Sequence, residues 1–316
     1  HSRYTAGPRC LPGLLSRRMD PAHILSLAAA LSWTLASLFG HQPSVILGSL
    51  HFNRIRMVVS AGLLCIMMLV TGNSWTLPDG FWLPILASAL IGVVIGDFFL
   101  FVTMRRLGPR RTGILFAANA PLAAMLGWLF LSEPLSILKI LAVLIGFCGI
   151  CLAIIYGKRR DLLHVWETVT QPLWIGVGAG LIAALGQAVG VLLLRPVMEA
   201  GGDPMMATLI RVSAAACFFW LTWIFTQPKT NISVYKDFKL CFLIIANSFF
   251  GLSFGVYLLL TALETGHVAD VTILSSFGPV MILPFVWYQT RICPTWGAWG
   301  GAGLVVLSSA LLVLQS

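Results

Sequence analysis

Ten runs of about 18 to 24 residues without consecutive charges divide this chain, and the third of them, Phe81 to Met104, carries an aspartate, Asp97, close to its centre. A carboxylate that deep in hydrocarbon costs roughly 2.5–3.5 kcal/mol on insertion scales and persists where it faces a cavity, an ion path or a partner. The approximate limits of the runs are 22–40, 54–72, 81–104, 111–131, 136–156, 173–195, 205–226, 239–262, 268–288 and 294–314. Backbone polar groups in lipid must be satisfied within each run, so these lengths imply helices rather than strands. Short connections then make sequential neighbours antiparallel. The expected fold is an all-α integral membrane protein of ten transmembrane helices with a polar pathway through it.

Composition agrees: 58% of the 316 residues are hydrophobic and 10% are charged, against about 25% charged in soluble domains. The formal charge of +9 does not point to nucleic acid, because the basic residues sit in short clusters between apolar runs. There they bias orientation and meet anionic lipid head groups. Cys65, Cys148, Cys151, Cys217 and Cys241 lie within or at the edges of apolar runs, and the Cys148-x-x-Cys151 pair has Leu and Ile neighbours that offer no polar access. They read as small packing residues rather than a redox or metal motif. The six histidines show no ligand pair at helical spacing within a run, so no metal is expected.

The chain repeats itself. Gly92-x-x-x-Gly96 in the third run is matched by Gly251-x-x-x-Gly255 in the eighth, each followed by an apolar-aromatic stretch and a break, at Gly108 or Gly266. A proline-centred run comes next in both: Asn119-Ala120-Pro121 in the fourth, Phe277-Gly278-Pro279 in the ninth. Leu209 to Arg211 in the seventh run echoes Arg54-Ile55-Arg56 at the start of the second. Residues 19–157 and 173–316 therefore read as two copies of five helices, joined by a hydrophilic linker at 158–172. Residues 1–18 read as a disordered or non-native tail, with Met19-Asp20-Pro21 as a natural start. Five is odd, so the second copy enters the membrane from the opposite side and the repeats are inverted. Arg105, Arg106, Arg110 and Arg111 around one break, against Glu264, His267 and Asp270 around the other, fit opposite compartments.

With five plus five runs, a Ser132-Glu133-Pro134 turn before a glycine-rich fifth run, and proline-centred fourth and ninth runs, residues 20 to 315 resemble the EamA-type branch of the drug/metabolite transporter superfamily. Copy two departs from the pattern, with Gln289-Thr290-Arg291 and Pro294 where copy one has Ser132-Glu133-Pro134. The resemblance implies a multi-pass permease of a plasma or bacterial inner membrane, often an exporter of amino acids, metabolites or drug-like compounds. The residues alone reach a similar place, since inverted repeats with polar groups at the midplane are how secondary transporters alternate access. No phosphate-binding loop or H-E-x-x-H occurs, which speaks against an ATP-driven subunit or a zinc-dependent enzyme. A membrane channel or non-transporting receptor is the alternative.

The candidate substrate-binding residues are Trp33, Ser37, Asp97, Phe101, Asn119, Gln187, Tyr257, Ser275 and Ser276. Asp97 either gates, binds a cation or takes a proton, or else pairs with an arginine such as Arg211. Arg211 and Arg56 lie near run ends, where long side chains snorkel to the interface, and read first as structural. Pro121 loosens the backbone ladder near the membrane centre, where Asn119 either meets a substrate or repairs the kink. Tyr257 and Asn247 fit an interhelical hydrogen bond equally well. Pro121, Pro279, Gly96 and Gly255 are the candidate gating or helix-break positions, and the glycine pairs, with Gly186/Gly190 and Gly297/Gly301, read mainly as packing faces. Glu133 with Pro134 reads as a helix cap. The expected partners are a small-molecule substrate, membrane lipids and protons as coupling ion, with no cofactor and no nucleic acid, for a monomer or homodimer. Asn231-Ile232-Ser233 matches a glycosylation sequon by chance.

Loops after odd-numbered runs hold Arg54, Arg105, Arg106, Arg110, Arg111, Lys158, Arg159, Arg160, Lys229, Lys236, Lys239 and Arg291, while even loops hold little beyond Arg195. The positive-inside rule then puts odd loops in the cytoplasm and both termini outside, whereas the resemblance implies cytoplasmic termini and the basic tail before Met19 sides with it. A C-terminal reporter that works only in the cytoplasm is expected to stay silent, and activity there overturns this orientation.

Overall fold

Three aspartates, Asp20, Asp203 and Asp237, cap the starts of helices. Asp20 accepts from the Ala22 amide at 2.9 Å and Asp203 from the Met206 amide at 2.8 Å, each followed by a proline suited to a first helical turn. The computed structural model describes residues 20–72, 80–132, 136–156, 172–226, 237–278, 280–281 and 295–313. The tail 1–18, linker residues 158–171, Glu133, Pro134, Asn231, Pro279 and the stretch from Gln289 to Pro294 lie outside the described residues.

Among the described residues every element is helical. The helices are α1 (Pro21–Leu47), α2 (Ser49–Thr71), α3 (Trp82–Ser88), α4 (Phe98–Ala117), α5 (Asn119–Leu131), α6 (Ile137–Tyr156), α7 (Leu173–Glu199), α8 (Pro204–Leu221), α9 (Phe238–Ser248), α10 (Phe254–Ala262), α11 (Val268–Ser275) and α12 (Trp296–Val313). Pro21–Leu47, Ser49–Thr71, Trp82–Leu107, Trp174–Glu199, Pro204–Ile224 and Phe238–Ala262 are long and apolar enough to cross a bilayer, and Leu115–Leu131, Ile137–Leu152 and Trp299–Ser308 are shorter apolar helices. Aromatic residues at helix ends face outward, Trp296 at 92% exposure and Phe238 at 86%, with Trp82 and Trp174 also exposed. This is the interfacial belt of a multi-pass membrane protein.

Two helical rods are interrupted by wider π geometry: Ala89–Asp97 joins α3 to α4, and Phe249–Ser253 joins α9 to α10. These segments coincide with the matched Gly92/Gly96 and Gly251/Gly255 pairs. Their i→i+5 bonding leaves some carbonyls for outside donors, and such segments are common at functional sites. In the second rod Ser60 Oγ donates to the Ser248 carbonyl (3.1 Å), Ser32 Oγ to that of Phe250 (2.7 Å) and Trp33 Nε1 to that of Gly251 (2.9 Å).

Packing crosses between the halves. The first rod lies against α7, with Gly92 opposite Gly190 and Gly96 opposite Gly186. Further along, Leu107 touches Gly176 while Leu115 touches Gly180, so the contact with α7 changes direction between Leu107 and Leu115. The second rod lies against α1. Helices α2 and α8 are antiparallel, because Arg54 reaches Phe219 and Thr71 lies beside Met205. Helices α6 and α12 are antiparallel too, with Ser308 bonded to the Ala142 carbonyl and Gly149 against Gly301.

Pro121 does not break its helix. The interruption falls at Ala118, and α5 starts at Asn119, which puts Pro121 in the first turn where no intrahelical bond is lost.

The glycine contacts are tight enough to test. A Cβ at Gly186 would stand 2.9 Å from the Ile91 carbonyl oxygen and one at Gly190 3.0 Å from the Gly92 Cα, whereas Gly178 on the same helix has nothing within 4 Å. Gly186→Ala and Gly190→Ala are expected to destabilise the protein by about 1–3 kcal/mol. Gly178→Ala is expected to be neutral or to stabilise by up to about 1 kcal/mol. Thermal unfolding of the three purified variants in detergent checks the contrast, and equal melting temperatures contradict the packing described.

Candidate functional site

At the end of the first π segment, Asp97 is held from two sides. From α2, Arg56 Nη2 donates to Asp97 Oδ2 at 2.9 Å, with side-chain exposures of 6% and 15%. Asp97 and Phe101 are four apart on one helix, and Phe52 and Arg56 four apart on another, so each pair shares a face. The Arg56 guanidinium therefore also sits 4.7 Å from the Phe101 ring centre and 5.8 Å from that of Phe52, and the two rings meet edge-on at 5.0 Å. Cation–π contact of this kind strengthens as water is removed.

From α8 comes Arg211, which is buried. It acts electrostatically on Asp97, and its Nη2 lies 3.2 Å from where a side chain on Gly92 would begin. The i→i+5 bonding of the π segment turns Gly92 and Asp97 toward the same side. Its Nε has no hydrogen-bond partner, and neither has that of Arg56. Two guanidiniums thus face one carboxylate, and the cluster carries one excess positive charge.

Neither Arg56 nor Arg211 snorkels to a membrane surface, which corrects the first reading of both. Each lies well inside its helix, and an inward ion partner outcompetes a distant interface. Arg54 is likewise not a loop charge. It is 1% exposed and closes the end of α8, donating to the carbonyls of Phe219 and Thr226 and to the hydroxyls of Thr222 and Thr226, with Trp223 beneath it. Helix ends leave carbonyls unpaired, and a cation there both bonds them and complements the helix dipole.

The remaining candidates form separate groups. The Ser276 hydroxyl bridges Asn119 Oδ1 at 2.9 Å and the Thr272 carbonyl at 2.7 Å, tying α5 to α11. Ser275 bonds the Thr272 carbonyl of its own helix at 3.1 Å. Trp33 spends its donor on Gly251 and packs its ring on Gly255, and Ser37 bonds the Thr34 carbonyl at 2.8 Å. Gln187 is half-buried beside Gly96, and Tyr257 packs on the main apolar core. Asn247 donates to the Ala36 carbonyl at 2.8 Å, as an interhelical bond. The structure thus joins Asp97 to Phe101 through Arg56, Asn119 to Ser276 and Trp33 to Gly255. A cation in an apolar run was the available signal for Arg56 and Arg211, and the Arg54–Arg56 and Leu209–Arg211 echo already linked them.

Comparison with known proteins gives a family and a fold. The EamA-like transporter family matches residues 20–155 and, a second time, residues 174–314. A search of curated proteins finds no match. A solved structure described only as "Crystal structure of protein" superposes with a TM-score of 0.75 at 17% identity, over 94% of this chain and 98% of that one. At that identity it speaks for the fold alone.

The charge balance of the cluster sets an order of stabilities. Asp97→Asn leaves two buried guanidiniums without a counter-charge and is expected to cost about 3–5 kcal/mol. Arg56→Gln costs less, because Arg211 still faces the carboxylate. Adding Arg211→Gln to Asp97→Asn is expected to restore part of the loss. Denaturant unfolding of the purified variants measures all three, and a full additive loss in the double variant contradicts the cluster.

Proposed function

This chain belongs to the EamA-like transporter family of the drug/metabolite transporter superfamily, and from that premise we propose that it is a secondary carrier working by alternating access. Its substrate is a small amphipathic metabolite, such as an amino acid or drug-like compound, and its membrane is the plasma membrane, or inner membrane of a bacterium. Ten membrane-crossing helices form two inverted copies of five. The repeated family match supports two copies. The antiparallel pairing of α2 with α8, the second helices of each copy, and of α6 with α12, the fifth helices, supports inversion.

The observation that carries the mechanism is that Asp97 of copy one faces an arginine from each copy, Arg56 and Arg211. Rocking one copy against the other changes the distance between α2 and α8, and therefore the balance of charge felt by Asp97. Glycine-lined faces at Gly92/Gly190 and Gly96/Gly186 allow such sliding at low steric cost. Protons are the proposed coupling ion, and the polar pairs Trp33–Gly251 and Asn119–Ser276 flank the path as a second tier of contacts.

Counterflow in proteoliposomes tests the reading, because a carrier speeds exchange when substrate is present on the far side and a channel does not. Asp97→Asn is expected to abolish counterflow while the protein still inserts and elutes as a single species. Normal exchange by the inserted variant removes Asp97 from the mechanism.

A further inference from the structure

Arg211 is the charge that the cluster leaves over. Asp97 is bonded to Arg56, whereas Arg211 makes no ion pair within 4.0 Å among the described residues. At 5% exposure its Nε still lacks a hydrogen-bond partner. A buried guanidinium whose neighbouring carboxylate is already bonded to another arginine is a strong cost to folding, and an apolar residue of similar volume would be more stable. Retention of such a group inside a membrane helix points to a ligand that completes it.

The chemistry of that ligand follows from the surroundings. A guanidinium presents its N–H groups as a rigid fork that matches a carboxylate in two parallel bonds. Two cations and one anion leave a charge of +1, so a monoanion neutralises the cluster while an ammonium group would add to the excess. The wall beside Nη2 is bare backbone at Gly92, with Gly190 behind it. Val93, Val94, Leu209 and Val212 belong to the apolar cluster around these turns of the π segment and α8.

We propose that Arg211 anchors the carboxylate of a small monoanionic substrate whose remainder is apolar. The inference rests on the carrier reading and narrows its substrate class. Amphipathic cations are excluded at this position, because the one carboxylate that could receive them is already bonded to Arg56.

The test is thermal stabilisation of the purified full chain by benzoate, phenylacetate and octanoate, each beside its neutral primary amide. At least one carboxylate is expected to raise the melting temperature where its amide does not. Arg211→Gln is expected to weaken that response about tenfold or more, and Arg211→Lys, which keeps the charge without the fork, to fall between. Unliganded melting and single-species elution of both variants show that they fold. Stabilisation by no carboxylate, equal stabilisation by an amide, or an unchanged response in Arg211→Gln overturns the site. Counterflow of the binding carboxylate separates this from the carrier reading. Arg211-dependent binding without counterflow sinks the carrier and keeps the anion site, while counterflow indifferent to Arg211 keeps the carrier and sinks the site.

Discussion

A buried carboxylate bonded to one arginine and faced by a second is the interaction around which this protein is arranged. None of the three charges is tolerable alone in hydrocarbon. Asp97 therefore requires α2 and α8 to stand beside the first π segment, and Arg56 in turn requires the Phe52 and Phe101 faces that enclose it. The rest of the packing makes that meeting sterically feasible. Glycines at 92, 96, 186 and 190 remove the side chains that would hold α7 away, and the π segment turns Gly92 and Asp97 to one side.

The two copies solve a similar backbone problem with different chemistry. In copy two the carbonyls left over by the π segment are taken by Ser60, Ser32 and Trp33, all neutral donors. In copy one the matching segment ends on a carboxylate and receives cations. Duplication supplied the same interrupted rod twice, and of the two π segments only the first carries a charged side chain. The asymmetry suits a molecule in which one copy holds a polar centre and the other provides a neutral, hydrogen-bonded counterpart.

Much of this was legible before any coordinates. Lengths and hydropathy of the runs gave the helices because lipid leaves the backbone no other choice, and the glycine and proline echoes gave the duplication. Asp97 was visible as a charge in an apolar run. The side-chain partnerships were not, because they join residues far apart in the chain: Arg56 to Asp97, Arg54 to the end of α8, Ser276 to Asn119. Arg56 and Arg211 looked like interface residues because snorkelling is the default for a cation near a run end, and only the approach of Asp97 reverses that default. The position of the break at Ala118 rather than Pro121 was hidden for a different reason. A proline marks a helix start as readily as a helix kink, and sequence alone does not say which.

The proposed opposite insertion of the two copies accounts for an arginine from each meeting the same aspartate, so it is the claim to test most directly. In a cysteine-free background, Thr71→Cys at the end of α2 and Phe225→Cys just past α8, both exposed, mark the same point of each copy. The account predicts that a membrane-impermeant thiol reagent labels them from opposite faces of sealed vesicles. Labelling of both from one face would contradict it.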